Sequence, residues 1–232
     1  MESFEPTDRT RVRRVSERAV YDRKTVFAIL DEALIAHVGF VADGFVADGF
    51  VADDFVAGGA PVVLPMAFVR VGSSIFLHGS TRARMLEAIA AGAPVCVTTT
   101  LVDGLVLARS AFHHSMNYRS VAVHGRGRAV ESRERALGVL EALTEKLTPG
   151  RWPAVRQPTE REMRATLVVE IPIEQASAKV RSGPPVDDRE DLGLGIWAGT
   201  VPILSHYADP VADPQLPGEV AVPDHVRRLS EC

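Results

Sequence analysis

At 232 residues, with 46% hydrophobic and 24% charged side chains and a net charge of −4, the chain is long enough for one large domain or two small ones. No basic run is dense enough to track phosphates, no stretch approaches the roughly 18 uncharged apolar residues of a membrane helix, and the N-terminus lacks a signal-peptide core, so nucleic acid and membrane are excluded as partners. Cys96 and Cys232 are too far apart in sequence to suggest a disulfide framework or a CxxC metal site, and a soluble protein of a reducing compartment, the cytoplasm, is expected.

Residues 1–20 are charged and without apolar period, which reads as an arm ahead of a domain at 21–205. From Tyr21 to Ile35, Val26, Phe27, Leu30, Ala33 and Leu34 recur at helical spacing, and His37–Ala42 reads as a strand. Tandem Phe-Val-Ala-Asp-Gly pentamers follow, giving an inserted loop at 44–60. A period of five suits neither strand nor helix; Asp-Gly turns close a hairpin, while the recurring Asp43, Asp48, Asp53 and Asp54 leave a calcium array as the alternative. Pro61–Val71 is a strand that Pro65 should interrupt at an edge or bulge. Ser74–His78 is a short strand. A helix over about Arg82–Ala91 follows, with Ser80 or Thr81 as N-cap, Met85, Leu86 and Ile89 buried and Gly92 at C′.

Pro94–Thr100 is a strand, and Leu101–Glu131 supplies three more, the first two separated by an Asp103-Gly104 turn and the next two by the polar connection His113–Arg119. Ser132 opens a helix with Leu137, Leu140, Leu143 and Leu147 inward, stopped at Pro149-Gly150. Thr159-x-x-Glu162 is a capping-box pattern, Thr166–Ile171 and Ala176–Val180 are the last strands, and residues 206–232 form a loosely ordered tail. Strands without strict strand–helix alternation argue against a Rossmann sheet and for a mainly β, antiparallel barrel with peripheral helices.

Three places carry chemistry. In Leu77-His78-Gly79-Ser80-Thr81-x-x-Arg84 a strand ends, a hydroxyl caps a helix and a guanidinium enters its first turn. That set suits a phosphate, and equally an ordinary capped surface helix. His113-His114-Ser115-Met116-Asn117-Tyr118-Arg119 offers Tyr118 and Arg119 as a clamp on a planar anionic group. Its adjacent histidines point in different directions, and no ligand spacing supports a metal; with His78 and His124, haem remains an alternative. Trp197, in a glycine-rich island, is a core or interface anchor able to reach a second subunit.

The stretches Ile75–Ser80, Pro94–Thr98, Asp103–Ser120 and Trp197-Ala198-Gly199 together resemble the FMN-binding split-barrel family of pyridoxamine 5′-phosphate oxidase-like proteins, closest to its branch related to nitroimidazole-resistance reductases. The resemblance spans about Arg18 to Ile203. It implies a split β-barrel homodimer with FMN in a groove between the chains, acting as an oxidoreductase on a small molecule. Carried over by position, Val63, Leu64, Pro65 and Met66 flank the isoalloxazine, His78 and Ser80 lie beside the ribityl chain and Arg84 meets the phosphate. Tyr118, Arg119 and Ser120 contact the flavin, and Trp197 comes from the second chain. His78 or His114 is the expected proton donor. The family's arginine at the start of the Val62 strand is absent, which argues against pyridoxamine phosphate as substrate. The alternatives are a flavin holder without turnover and a haem-binding or haem-degrading split barrel.

Overall fold

The computed structural model describes residues 2–42, 60–218 and 220–231, so the pentamer loop lies outside the described residues. After a two-residue strand, β1 (Ala19–Val20), Asp22 caps helix α1 (Arg23–Glu32) by accepting a 2.8 Å hydrogen bond from the Thr25 N–H. Val26, Ile29 and Leu30 form its buried stripe. The helix stops before Ile35, because strand β2 (Ile35–Ala42) begins there with Ala36, Val38 and Phe40 facing inward.

Strands β3 (Ala60–Ala67), β4 (Val69–Val71) and β5 (Ser74–Ser80) precede helix α2 (Arg84–Ala90). The long pair β6 (Pro94–Leu107) and β7 (Ser115–Arg126) leads through β8 (Arg128–Ala129) to helix α3 (Arg133–Leu147). Helix α4 (Glu160–Ala165), strands β9 (Thr166–Pro172), β10 (Gln175–Arg181) and β11 (Gly199–Pro202), and helix α5 (Asp224–Arg227) complete the chain. Every strand pairing is antiparallel. The larger sheet runs β1-β10-β7-β6-β2-β3, with β11 added along the second half of β6; the smaller runs β4-β5-β9-β8.

Alternation sends Val95, Val97, Val121, Val123, Ala176 and Ala178 of the larger sheet and Ile75, Leu77, Val169 and Ile171 of the smaller into one core. Two sheets enclosing one core are the antiparallel split barrel expected from the sequence. Helix α3 packs outside it, over Val69, Phe76 and Val168.

Several elements differ from their sequence reading. Asp103-Gly104 is no turn: β6 runs straight through it, and a register shift between Val102 and Gly104 marks a bulge. Pro65 sits on the edge strand of its sheet, as expected, but does not interrupt β3. Helix α2 begins at Arg84 with Ala83 as an N-cap that makes no side-chain bond; Ser80 Oγ instead accepts from the Arg82 N–H at 3.1 Å. The buried face of α3 is Ala136, Val139 and Leu143, with Leu140 packed beside it, so Leu143 and Leu140 of the expected leucine stripe face inward while Ala136 and Val139 replace Leu137 and Leu147. The N-terminal segment is more than an arm, because Phe4 is buried in the core.

Candidate functional site

The site begins where the two sheets part. Strand β4 continues β3 after one residue, and Val69 pairs with Phe76. Side chains two apart share a face, so Val63, Pro65, Ala67 and Val69 lie on the same side as Phe76, His78 and Ser80. Ala67 and Val69 pack against α3, which closes one end of this face; toward the other end it opens, with Val63 60% exposed. Leu64 and Met66 point the other way, Met66 half-buried against the core. Among the described residues nothing pairs with the outer edge of β3, which offers backbone groups to a ring laid along it.

His78 stands opposite Val168 in the ladder, half-buried, and burial lowers its pKa below the ordinary 6.5. Neither ring nitrogen has a hydrogen-bond partner among the described residues. Ser80 and Arg84 are exposed at the turn and at the first position of α2, so His78, Ser80 and Arg84 gather at one end of the face.

The β7 residues lie elsewhere. Two strands, β6 and β2, separate β7 from β3, a distance of about 14 Å at the usual strand spacing. Tyr118 and Ser120 share the outer face, and the Ser120 hydroxyl donates to the Lys179 carbonyl at 3.3 Å. Arg119 points the other way, over the end of the barrel. There it donates to Asp103 at 2.7 and 3.0 Å and to Glu32 at 2.8 Å, tying β7 to the β6 bulge and to the last residue of α1. The Arg119 hydrogen bonds hold the Glu32 carboxyl below its usual range, and the two carboxylates push the guanidinium pKa up.

The connection between β6 and β7 is clamped from the segment after β10. Asp187 accepts from the Arg109 N–H and from Nη1, each at 2.8 Å, and His113 Nε2 pairs with Asp188 at 3.0 Å, which raises the His113 pKa. Sequence reasoning misses these aspartates because they follow their partners by more than 70 residues. His114 Nδ1 donates to the Ser110 carbonyl at 3.0 Å, fixing the ring of an otherwise exposed side chain. Thus the histidines are dispersed: His78 is in the smaller sheet, His113 and His114 in the connection, and His124 toward the far end of β7, 3.9 Å from Cys96 Sγ. Among the described residues no group of three or more His, Cys, Asp or Glu is placed to hold a metal. Trp197 is 67% exposed just ahead of β11, and a Cβ at Gly199 would lie 3.0 Å from its ring.

Beside the Glu32–Arg119–Asp103 triad a cavity of about 580 Å³ opens. The barrel supplies Leu34, Leu101 and Val102, and the segment after β11 supplies Ile203 through Tyr207, including His206. No sequence pattern announces it, since its two walls are about 100 residues apart in the chain.

The family model described as pyridoxamine 5′-phosphate oxidase matches residues 22–180. The flavocytochrome Anf3 from Azotobacter vinelandii is 36% identical, with 97% of this chain and 98% of that one covered and a TM-score of 0.85. An FAD- and haem-binding protein from Mycobacterium smegmatis is 34% identical over 92% of this chain and 98% of that one, with a TM-score of 0.82. A protein from Bacteroides thetaiotaomicron assigned to 5-nitroimidazole antibiotic resistance shares the fold at 21% identity, covering 70% of this chain and 86% of its own, with a TM-score of 0.55. A comparison with curated proteins found no match. The matched residues, the two antiparallel sheets around one core and the full-length relatives together make the chain a member of the pyridoxamine 5′-phosphate oxidase-like family of flavin-binding split barrels.

Proposed function

We propose that this chain is an oxidoreductase of the flavocytochrome kind, a homodimer in which a flavin and a haem exchange electrons. The observation that carries the reading is the face shared by Val63, Pro65, His78 and Ser80, open along an unpaired strand edge. Its chemistry fits a flavin: apolar side chains and backbone groups for the ring, and a hydroxyl and a guanidinium where the phosphate would lie. FMN and FAD share that portion. The resemblance implies FMN; because one relative at 34% identity binds FAD, FAD is the flavin we assign. Haem is assigned because one full-length relative is a flavocytochrome and the other binds haem.

The flavin, when bound, supplies hydride or electron transfer through its N5. The chain supplies the rest. Strand β3 orients the ring, Ser80 and Arg84 hold the phosphate end, and His78 handles the proton. With its pKa depressed by burial, His78 is neutral at pH 7, so donation from its protonated form requires more acid solution. The 14 Å between β3 and β7 supports a two-chain groove, with Tyr118, Ser120 and Trp197 reaching the flavin of the second chain. Exposed apolar side chains support the same pairing: Val201, Leu105 and Met116 are successive partners across β11, β6 and β7. Arg119, which the sequence offers as part of a clamp on an anionic group, is committed to Glu32 and Asp103, and Arg109 is committed to Asp187. That favours electron exchange between bound groups over turnover of an anionic substrate. Among the described residues no helix is long and apolar enough to cross a membrane, and the cytoplasm is the compartment we assign.

The absorption spectrum of the purified protein, with each released chromophore identified by mass, tests the reading. Flavin bands with FAD, and a Soret band after haemin addition, are expected. A protein that binds neither would sink it, and FMN alone would return the flavin to the one implied by the resemblance. If His78 is the proton donor, turnover with an artificial acceptor falls as pH rises through its depressed pKa, below 6.5, and His78→Ala loses that limb. An unchanged pH profile in His78→Ala removes the residue from the proton path.

A further inference from the structure

We infer that the cavity between the barrel end and the segment after β11 is the haem site, with His206 as the axial imidazole. The inference rests on the haem assignment above. The family match ends at residue 180, whereas the flavocytochrome and the FAD- and haem-binding protein align with 97% and 92% of this chain, and so take in most of residues 181–232 as well. In that stretch, beyond the family match, lies one wall of the cavity, Ile203 through Tyr207.

A porphyrin is a flat apolar disc with two carboxylates on one edge, and it needs an apolar slot and a ring nitrogen for its iron. Leu34, Val102, Ile203 and Leu204 present apolar surface to solvent, Leu204 at 83% exposure, and about 580 Å³ of room lies among them. His206 is on the wall, and its ring has no hydrogen-bond partner among the described residues.

The other imidazoles are less suited. His113 is held by Asp188, and His124 faces Cys96. His225 packs against Gly150, with its Nε2 buried. His37 and His114 are exposed and line none of the described cavities, and His78 faces the flavin groove. At the floor of the cavity one guanidinium, Arg119, meets two carboxylates, Glu32 and Asp103, a local charge of 1 − 2 = −1. A bound haem would therefore be expected to keep its propionates away from that floor, and the same charge would favour its ferric state.

The test titrates haemin into the purified flavin-loaded protein and into two variants at exposed positions, His206→Gly and Leu204→Glu, with circular dichroism and flavin content checking the fold. The wild type is expected to develop a ligated Soret band. His206→Gly should lose it and recover it when free imidazole is added, and Leu204→Glu should fail to take up haemin while keeping its flavin. Wild-type protein that takes up no haemin overturns the haem assignment and this site with it. Wild-type uptake with an unchanged spectrum in His206→Gly overturns the site alone, as does loss of the band in His78→Ala with none in His206→Gly.

Discussion

Arg119 joins two carboxylates from different elements, so its removal strands both Glu32 and Asp103. Arg119→Met is expected to cost about 1–2 kcal/mol, since charged hydrogen bonds at a partly exposed site are lost. The pH dependence has a definite sign. The folded pKa of Glu32 lies below its ordinary 4.5, so its contribution is present above that pH and is lost as pH falls through the folded value. Acid denaturation of Arg119→Met should begin at higher pH than that of the wild type; coincident acid limbs would show that the pair contributes nothing. This partnership is hidden in the sequence, where Glu32 and Arg119 are 87 residues apart. The succession of strand, turn and helix from His78 to Arg84 is legible because these are local events, although β5 runs on to Ser80 and α2 starts only at Arg84. The tethering of His113 by Asp188 depends on how the chain returns after β10, which no short motif encodes.

At the scale of elements, close approaches decide where glycine is required. A Cβ at Gly104 would lie 2.8 Å from the Val201 carbonyl oxygen, a backbone atom that moves only with β11. Gly104→Ala should push β11 off β6, cost about 1–3 kcal/mol and weaken flavin binding as Trp197 shifts. Urea unfolding and flavin fluorescence would show this, and wild-type values in both would mean that β11 gives way freely. At Gly127 a Cβ would meet Ile89 Cγ2 at 2.3 Å and the Glu170 carbonyl oxygen at 3.2 Å, so Gly127→Ala should loosen α2 from the barrel at a similar cost, read as a lower urea midpoint. The crowding at Gly104 also explains why the Asp103-Gly104 signal misleads: an Asp-Gly pair closes a turn when nothing pairs across it, but here β7 continues the ladder on one side and β11 covers the glycine on the other. Pro65 is read correctly as marking an edge, because a residue without an N–H is tolerated where no neighbour needs it, but the strand continues through it. Capping at Asp22, Ser132 and Thr159 uses side chains within three residues of their targets, which sequence spacing conveys well, although Asp22 stands inside the apolar period and is masked by it.

For the whole molecule, the proposed two-chain groove would make cofactor binding and assembly one event. Leu105→Glu or Met116→Glu places a carboxylate in the exposed apolar row and should shift the protein toward monomer in light scattering, with flavin lost in the same concentration range. Monomers that keep their flavin at full affinity would show that one chain holds it unaided. The barrel architecture itself is readable from the strand count and the lack of alternation, but the division of work between the two ends of the chain is not. Phe4 and β1 come from a stretch whose charge suggests solvent, and they are drawn in because β10 offers β1 an edge to pair with.

That pairing joins residues 19–20 to residues 178–179, the first strand to the tenth. During synthesis β2, β3, β6 and β7 can assemble as they emerge, but the edge of β7 stays bare until β10 has left the ribosome. A nascent chain halted near residue 170 therefore displays a long unsatisfied strand edge, the kind that other chains bind. Translation speed through residues 166–181 should thus govern how much protein ends up in inclusion bodies.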